Sequence, residues 1–292
     1  MEPAALREDM VAGLEHESKG VVRSAATSVA MRAVPREAFV AEEAAAYADR
    51  ASERLGTRVL APSTVARLIE ALAPEPDSRV LVVGAGVGYT AAVCAAIVGE
   101  ANVHAVDIAR RLVGEARANL RRAGYGGVLV DRRDGSAGLP EYAPFDRILV
   151  EAAAVRPPRA LVDQLAPGGR LVLPLGAREQ TLTVVAPTAT EDGAGTAVDR
   201  GATDEPTVGT RGPETGASRE NTAIEGTVDT AGGAAVAERL GTVAFAPLLV
   251  EGERADTVER NRTRREDREH ARRVDGRRRG WEHDWIDWDR RG

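Results

Sequence analysis

The residues best suited to chemistry stand at Gly84-Ala85-Gly86-Val87-Gly88, after the apolar run RVLVV at 79–83 and before an alanine-rich stretch at 89–98. Glycine admits positive φ and lets a ligand approach the backbone, and a following helix N-terminus offers unpaired N–H groups. Asp107 closes the next apolar run, 19 positions after Gly88. A carboxylate there can accept both hydroxyls of an adenosine ribose. Asp134-Gly135 follows a third apolar run. An Asp there can hold an adenine amino group, although Asp-Gly is also an ordinary turn. Strand, glycine loop, helix, strand and acid in that order point to an adenosine site.

The spacing of the glycines narrows the ligand. A dinucleotide site favours G-x-G-x-x-G, where a pyrophosphate meets the helix dipole. Residues 84–88 read G-x-G-x-G, a spacing typical of S-adenosylmethionine sites.

These residues need elements to position them. Strand-like runs at 79–83, 102–106, 127–130, 145–150, 169–175, 181–185 and 241–245 are interleaved with helical stretches at 89–98, 109–123 and 157–165. The last helix is opened by prolines and stopped by Pro167-Gly168-Gly169. The alternation predicts an α/β fold, a doubly wound, mostly parallel seven-stranded sheet of Rossmann-like type, with N-terminal helices filling residues 1–70. The domain is expected over 1–186 and 238–250. Between them, 187–237 is an acidic segment, and from 188 onward it has no Phe, Tyr, Trp or Leu. It has too little apolar surface to offset its ordering entropy, so a disordered insert is expected. The tail at 251–292 holds 13 Arg against 12 acids, with Trp281, Trp285 and Trp288 at helical spacing. That stripe is suited to docking on the domain or on a second chain.

Charge and composition exclude several classes. The net charge is −6, and residues 188–237, with nine acids and three arginines, account for a balance of the same size. Lys19 is the only lysine, which fits a salt-rich cytoplasm and a GC-rich coding sequence alike. A single cysteine, Cys94, permits no internal disulfide, and His16, His104, His270 and His283 make no metal-ligand pair, so no metal is expected. No apolar run reaches the roughly 18 residues of a spanning helix, and MEPAALREDM lacks a signal-peptide core. A cytoplasmic monomer without membrane or nucleic-acid partners is the expectation.

Longer stretches carry a resemblance. VPREAFV (34–40), AYAD (46–49), VLVVGAGVGYTAAV (80–93), DGSAGLPEYAPFDRILVEAAA (134–154) and LAPGGRLVLPLG (165–176) are similar to segments of protein-L-isoaspartate O-methyltransferases. The chain resembles that family over 5–186 and again over 240–250. The resemblance implies methyl transfer from S-adenosylmethionine to the α-carboxylate exposed where Asn or Asp in a damaged protein has become isoaspartate. The ester then closes to a succinimide, whose hydrolysis returns some normal aspartate. Gly84, Gly86, Gly88, Asp107, Asp134 and Gly135 would bind the cofactor.

The departures fall at the implied active site. Where the family reads G-Q-T-I-S-A-P, this chain has Gly56-Thr57-Arg58-Val59-Leu60-Ala61-Pro62. Leu60 takes the place of the Ser that lies against the transferring methyl and the substrate carboxylate. Arg58 could pair with that carboxylate or stand as a surface arginine, and Ser63 lies one helical turn away. Val82 replaces an acid two positions before the loop, and Glu151 replaces the Thr before Ala152-Ala153-Ala154. Glu151 could repel an incoming carboxylate or bind the cofactor's ammonium. Two alternatives stay open: a divergent relative that methylates another carboxylate or RNA, and a non-catalytic protein that binds cofactor or isoaspartyl sites.

Overall fold

The computed structural model describes residues 2–188, 229–230 and 234–249. It opens with α1 (Pro3–Glu15) and α2 (Ala25–Ala33), the latter capped by Ser24, whose hydroxyl accepts from Thr27 N. A hairpin follows, β1 (Ser52–Arg54) and β2 (Thr57–Val59), and then α3 (Pro62–Leu72), which begins on a proline. The region at 1–70 is therefore not wholly helical. The hairpin turn, Leu55-Gly56, has φ of 53° and 68°, the backbone of a primed two-residue turn.

The sheet begins at β3 (Val80–Val83), with α4 (Tyr89–Val98), β4 (Val103–Asp107), α5 (Arg110–Arg122) and β5 (Leu129–Arg132) after it. β6 (Phe145–Val150), α6 (Arg159–Val162), β7 (Leu165–Leu175) and β8 (Gln180–Pro187) continue the chain, and β9 (Asp229–Thr230) and β10 (Ala234–Val243) return to it. The order across the sheet is β5-β4-β3-β6-β7-β8-β10-β9, eight strands against the seven expected. β5 to β7 run parallel, and β8, β10 and β9 extend the sheet antiparallel. Because the chain leaves β3 first towards β4 and later resumes on its other side with β6, β3 marks a switch point. Crevices open at the carboxyl ends of strands there.

Side chains alternate as a pleated sheet demands. Val80, Val82, Val103 and Ala105 pack in one cluster with apolar residues of α1 to α5. Leu81, Val83, Val106 and Ile148 face the opposite cluster, with Leu161 and Val162 of α6. The winding is thus lopsided. α4 is apolar all round and buried along most of its length, whereas α5 buries one stripe, Leu112, Val113, Ala116, Asn119 and Leu120.

Three expected boundaries move. The helix expected at 157–165 is the single turn α6, and β7 already begins at Leu165. Pro167-Gly168-Gly169 does not stop a helix but lies in a bulge of β7: Phe145 pairs with Leu165 and Arg147 with Arg170, leaving the extra residues on β7. The strand expected at 241–245 is β10, which starts at Ala234, so the residues expected to form the insert include the start of a strand and β9. The remainder of that segment and the tryptophan-bearing tail at 251–292 lie outside the described residues. Among the described residues, no helix is long and apolar enough to cross a membrane.

Candidate active site

The glycine loop is shaped by its hydrogen bonds. Gly84 N and Ala85 N both donate to Val106 O at 2.9 Å, which turns the chain over the end of β4. Gly84 and Gly86 have φ of 89° and 52°, conformations that cost little only without a Cβ. Gly86 N then donates to Asp107 Oδ2 at 2.9 Å, and Ala109 N donates to Oδ1 at 2.8 Å. One carboxylate therefore ties the loop to the start of α5. Burial pushes its pKa up and the two N–H donors pull it back.

A cleft of about 660 Å³ opens over the ends of β3, β4 and β6. Gly84, Gly86, Asp107 and Gly135 line it, so four of the six expected cofactor residues are brought together. Gly88 and Asp134 are not among its lining residues. A Cβ on Gly88 would press on Leu120 Cγ at 3.3 Å and Ala116 Cα at 3.4 Å, so this glycine serves the contact of α4 with α5. Asp134 caps a short 3-10 turn, accepting from Ser136 N at 2.9 Å and Ser136 Oγ at 2.7 Å. Gly135, next to it, has no room for a side chain, because a Cβ would collide with Val83 Cγ1.

The opposite wall comes from the hairpin. Gly56, Thr57, Arg58 and Leu60 line the cleft, whereas Ser63 does not; its N–H donates instead to Asp49 Oδ1 at 2.9 Å. Arg36, 1% exposed, fixes this wall: Nε donates to Ala46 O at 2.8 Å and a terminal nitrogen donates to Leu60 O at 2.6 Å. Two features of the cleft were missed in the sequence. Arg111, in the first turn of α5, lies on its rim beside Gly56. The extended segment 244–249 after β10 closes another side. Reciprocal bonds between Phe245 and Gln180, and bonds from Ala153 N to Ala246 O and Leu248 N to Ala153 O, hold it there. Its signals in the sequence are the run FAPLLV and the resemblance over 240–250, neither of which places it at the cleft.

Glu151 follows β6, its N–H bonded to Val83 O at 2.8 Å. It lines the cleft and also a recess of about 20 Å³ between the hairpin and the glycine loop. Its Oε1 is shut off from solvent and has no hydrogen-bond partner. Burial pushes its pKa up to about 7; a bond from the Thr90 side chain lowers it and the Asp107 carboxylate raises it further.

The residues present fit an adenosylated amino acid: a glycine cradle, a carboxylate at the end of β4 and a second, orphaned carboxylate across β3. Comparison with known proteins agrees. The family model "Protein-L-isoaspartate(D-aspartate) O-methyltransferase" matches residues 7–197. The protein-L-isoaspartate O-methyltransferase of Aeropyrum pernix is 45% identical over 172 residues, covering 57% of this chain and 66% of that one. Its counterpart from Pyrobaculum neutrophilum is 46% identical over 162 residues, covering 54% of this chain and 78% of its own. A Plasmodium falciparum chain crystallised in complex with S-adenosyl-L-homocysteine shares the fold, with a TM-score of 0.56 and 23% identity over 62% of this chain and 89% of that one. With its glycine loop, cleft and matched segments, the chain belongs to the protein-L-isoaspartate(D-aspartate) O-methyltransferase family.

Proposed function

We propose that the protein methylates the free carboxylate of L-isoaspartyl residues in damaged proteins, with S-adenosyl-L-methionine as donor. The observation that carries this reading is the bond from Gly86 N to Asp107 Oδ2 at the head of the cleft, within a chain of this family. Gly84 and Gly86 would leave the cofactor room against the backbone. Asp107, its oxygens already oriented by two N–H groups, would accept the ribose hydroxyls, and Gly135 would border the adenine. The cofactor supplies a methyl on a cationic sulfur, which leaves as a neutral thioether when an oxygen takes the methyl.

The chain's own task is alignment and charge control. A carboxylate is already a nucleophile, so no general base is required, and holding the oxygen about 3 Å from the methyl supplies most of the rate. Leu60 presents an apolar wall where it lines the cleft, and it excludes water without donating to the nucleophile. Arg58 and Arg111 stand exposed on the rim; their guanidinium groups would attract the substrate carboxylate and orient it.

Incubation with methyl-labelled cofactor and a pair of peptides, one isoaspartyl and one with the normal aspartyl linkage, tests the proposal. Label is expected on the isoaspartyl peptide alone. Cofactor binding without label on that peptide overturns the reading in favour of another acceptor.

A further inference from the structure

We infer that the recess behind the cleft is the seat of the cofactor's ammonium group, with Glu151 as its counter-ion. The inference rests on the cofactor named above and concerns a residue for which the site so far has no use.

Three observations converge on it. First, of the two carboxylates that line the cleft, Asp107 has both oxygens engaged by backbone N–H groups, whereas Glu151 Oε1 is buried and orphaned. An orphaned buried oxygen costs free energy until a donor reaches it. Second, the recess has room for about one water-sized group, and an ammonium is that size. Its wall also carries Thr90 on α4, so a second oxygen can accept from the same cation. Third, the two carboxylates stand at the ends of strands on opposite sides of β3, with the glycine loop between them. A ligand lying across the switch point with its ribose at Asp107 therefore carries its amino-acid end towards Glu151.

The charges around Glu151 favour a cation there. Asp107 on β4 and the Cys94 thiol and Thr90 hydroxyl on α4 face it, and none is positive. Arg58, on β2, lines the recess from the hairpin side and is exposed to solvent. Ion pairing in the recess also removes the repulsion that a bare Glu151 carboxylate would exert on an incoming substrate carboxylate. Glu151 is thus a binding residue whose charge is cancelled before the acceptor arrives.

Calorimetry with two ligands tests this. S-Adenosyl-L-homocysteine carries the ammonium, whereas 5′-methylthioadenosine keeps the adenosine and the sulfur but lacks the amino-acid end. Glu151→Gln is expected to weaken S-adenosyl-L-homocysteine binding about 10- to 100-fold, the value of a charge-assisted bond, and to leave 5′-methylthioadenosine binding within about twofold. Equal affinity of variant and wild type for S-adenosyl-L-homocysteine overturns the inference and leaves the proposed function intact. Equal loss for both ligands overturns it too, by showing a general disturbance of the cleft. If the wild type binds neither ligand, the proposed function fails, and this inference with it.

Discussion

Glu151 makes a prediction about the ligand-free protein that needs no enzymology. Its folded pKa of about 7 lies above the usual carboxyl value of 4.5 because burial penalises the ionised form. The folded state therefore holds the proton more tightly than the unfolded state. Below about pH 4.5 the group costs nothing; as pH rises through the window to about 7, the unfolded chain ionises first and stability falls. A shift of this size corresponds to roughly 3 kcal/mol. In denaturant unfolding of the ligand-free protein, Glu151→Gln should gain on the wild type by about that amount between pH 4 and pH 8. A gap that stays constant with pH would mean the carboxylate is not buried in solution. Leu60 offers the complementary experiment. Leu60→Ser puts a donor on the cleft wall, and a hydrogen bond to a charged group contributes about 1.5–3 kcal/mol. We expect kcat/KM for an isoaspartyl peptide to rise at least tenfold while S-adenosyl-L-homocysteine affinity stays unchanged. A fall in kcat/KM would show that the apolar wall is itself part of this enzyme's acceptor site.

At the scale of the element, the hairpin of β1 and β2 carries the cleft wall on an unfavourable turn. Leu55 sits at φ 53° and is 44% exposed, so its side chain gains little burial to offset a left-handed backbone. That conformation costs an ordinary residue about 1–2 kcal/mol. Leu55→Gly should raise stability by about 1 kcal/mol in denaturant unfolding without altering cofactor affinity, because Leu55 does not line the cleft. A loss of stability would show that the leucine packs where the turn now leaves it open. The same turn explains where the sequence was hard to read. Leu-Gly lacks the Asn-Gly or Asp-Gly signature of a primed hairpin, and Gly56 to Leu60 is marked in the sequence only by its resemblance to a family segment. Pro167-Gly168-Gly169 misled in the opposite direction, since a helix stop and a strand bulge use the same residues. The start of β7, an eleven-residue strand with a bulge, is not legible, whereas β3 and β4 are, because each is a short apolar run that the sheet buries completely. Gly84, Gly86 and Asp107 were legible for the same reason, as they sit where those runs end. Gly88 and Asp134 share that local pattern, and what packing adds is that Gly88 also meets α5 and Asp134 also caps a turn.

At the scale of the whole molecule, the sheet pairs two strands that lie far apart in the chain. Ala234 pairs with Pro187, so β8 and β10 are already brought together at the point where the intervening chain departs. Closing the chain between two paired strands costs an entropy that grows only with the logarithm of the number of intervening residues. Its acids hold a charge balance as large as that of the whole chain, so removing it leaves the remainder close to neutral. Replacing 189–228 with a linker of about four residues shortens the closed loop severalfold and should stabilise the fold by about 1–2 kcal/mol. Cofactor affinity should stay the same, because among the described residues the cleft is walled by the hairpin, the glycine loop, the ends of β3, β4 and β6, and 244–249 beyond β10. Solubility at low salt should fall as the net charge approaches zero. Denaturant unfolding and S-adenosyl-L-homocysteine titration of the shortened chain check both parts. Weaker binding would mean that the insertion reaches across the sheet to the cleft, and lower stability would mean that β9 and β10 depend on it for their pairing.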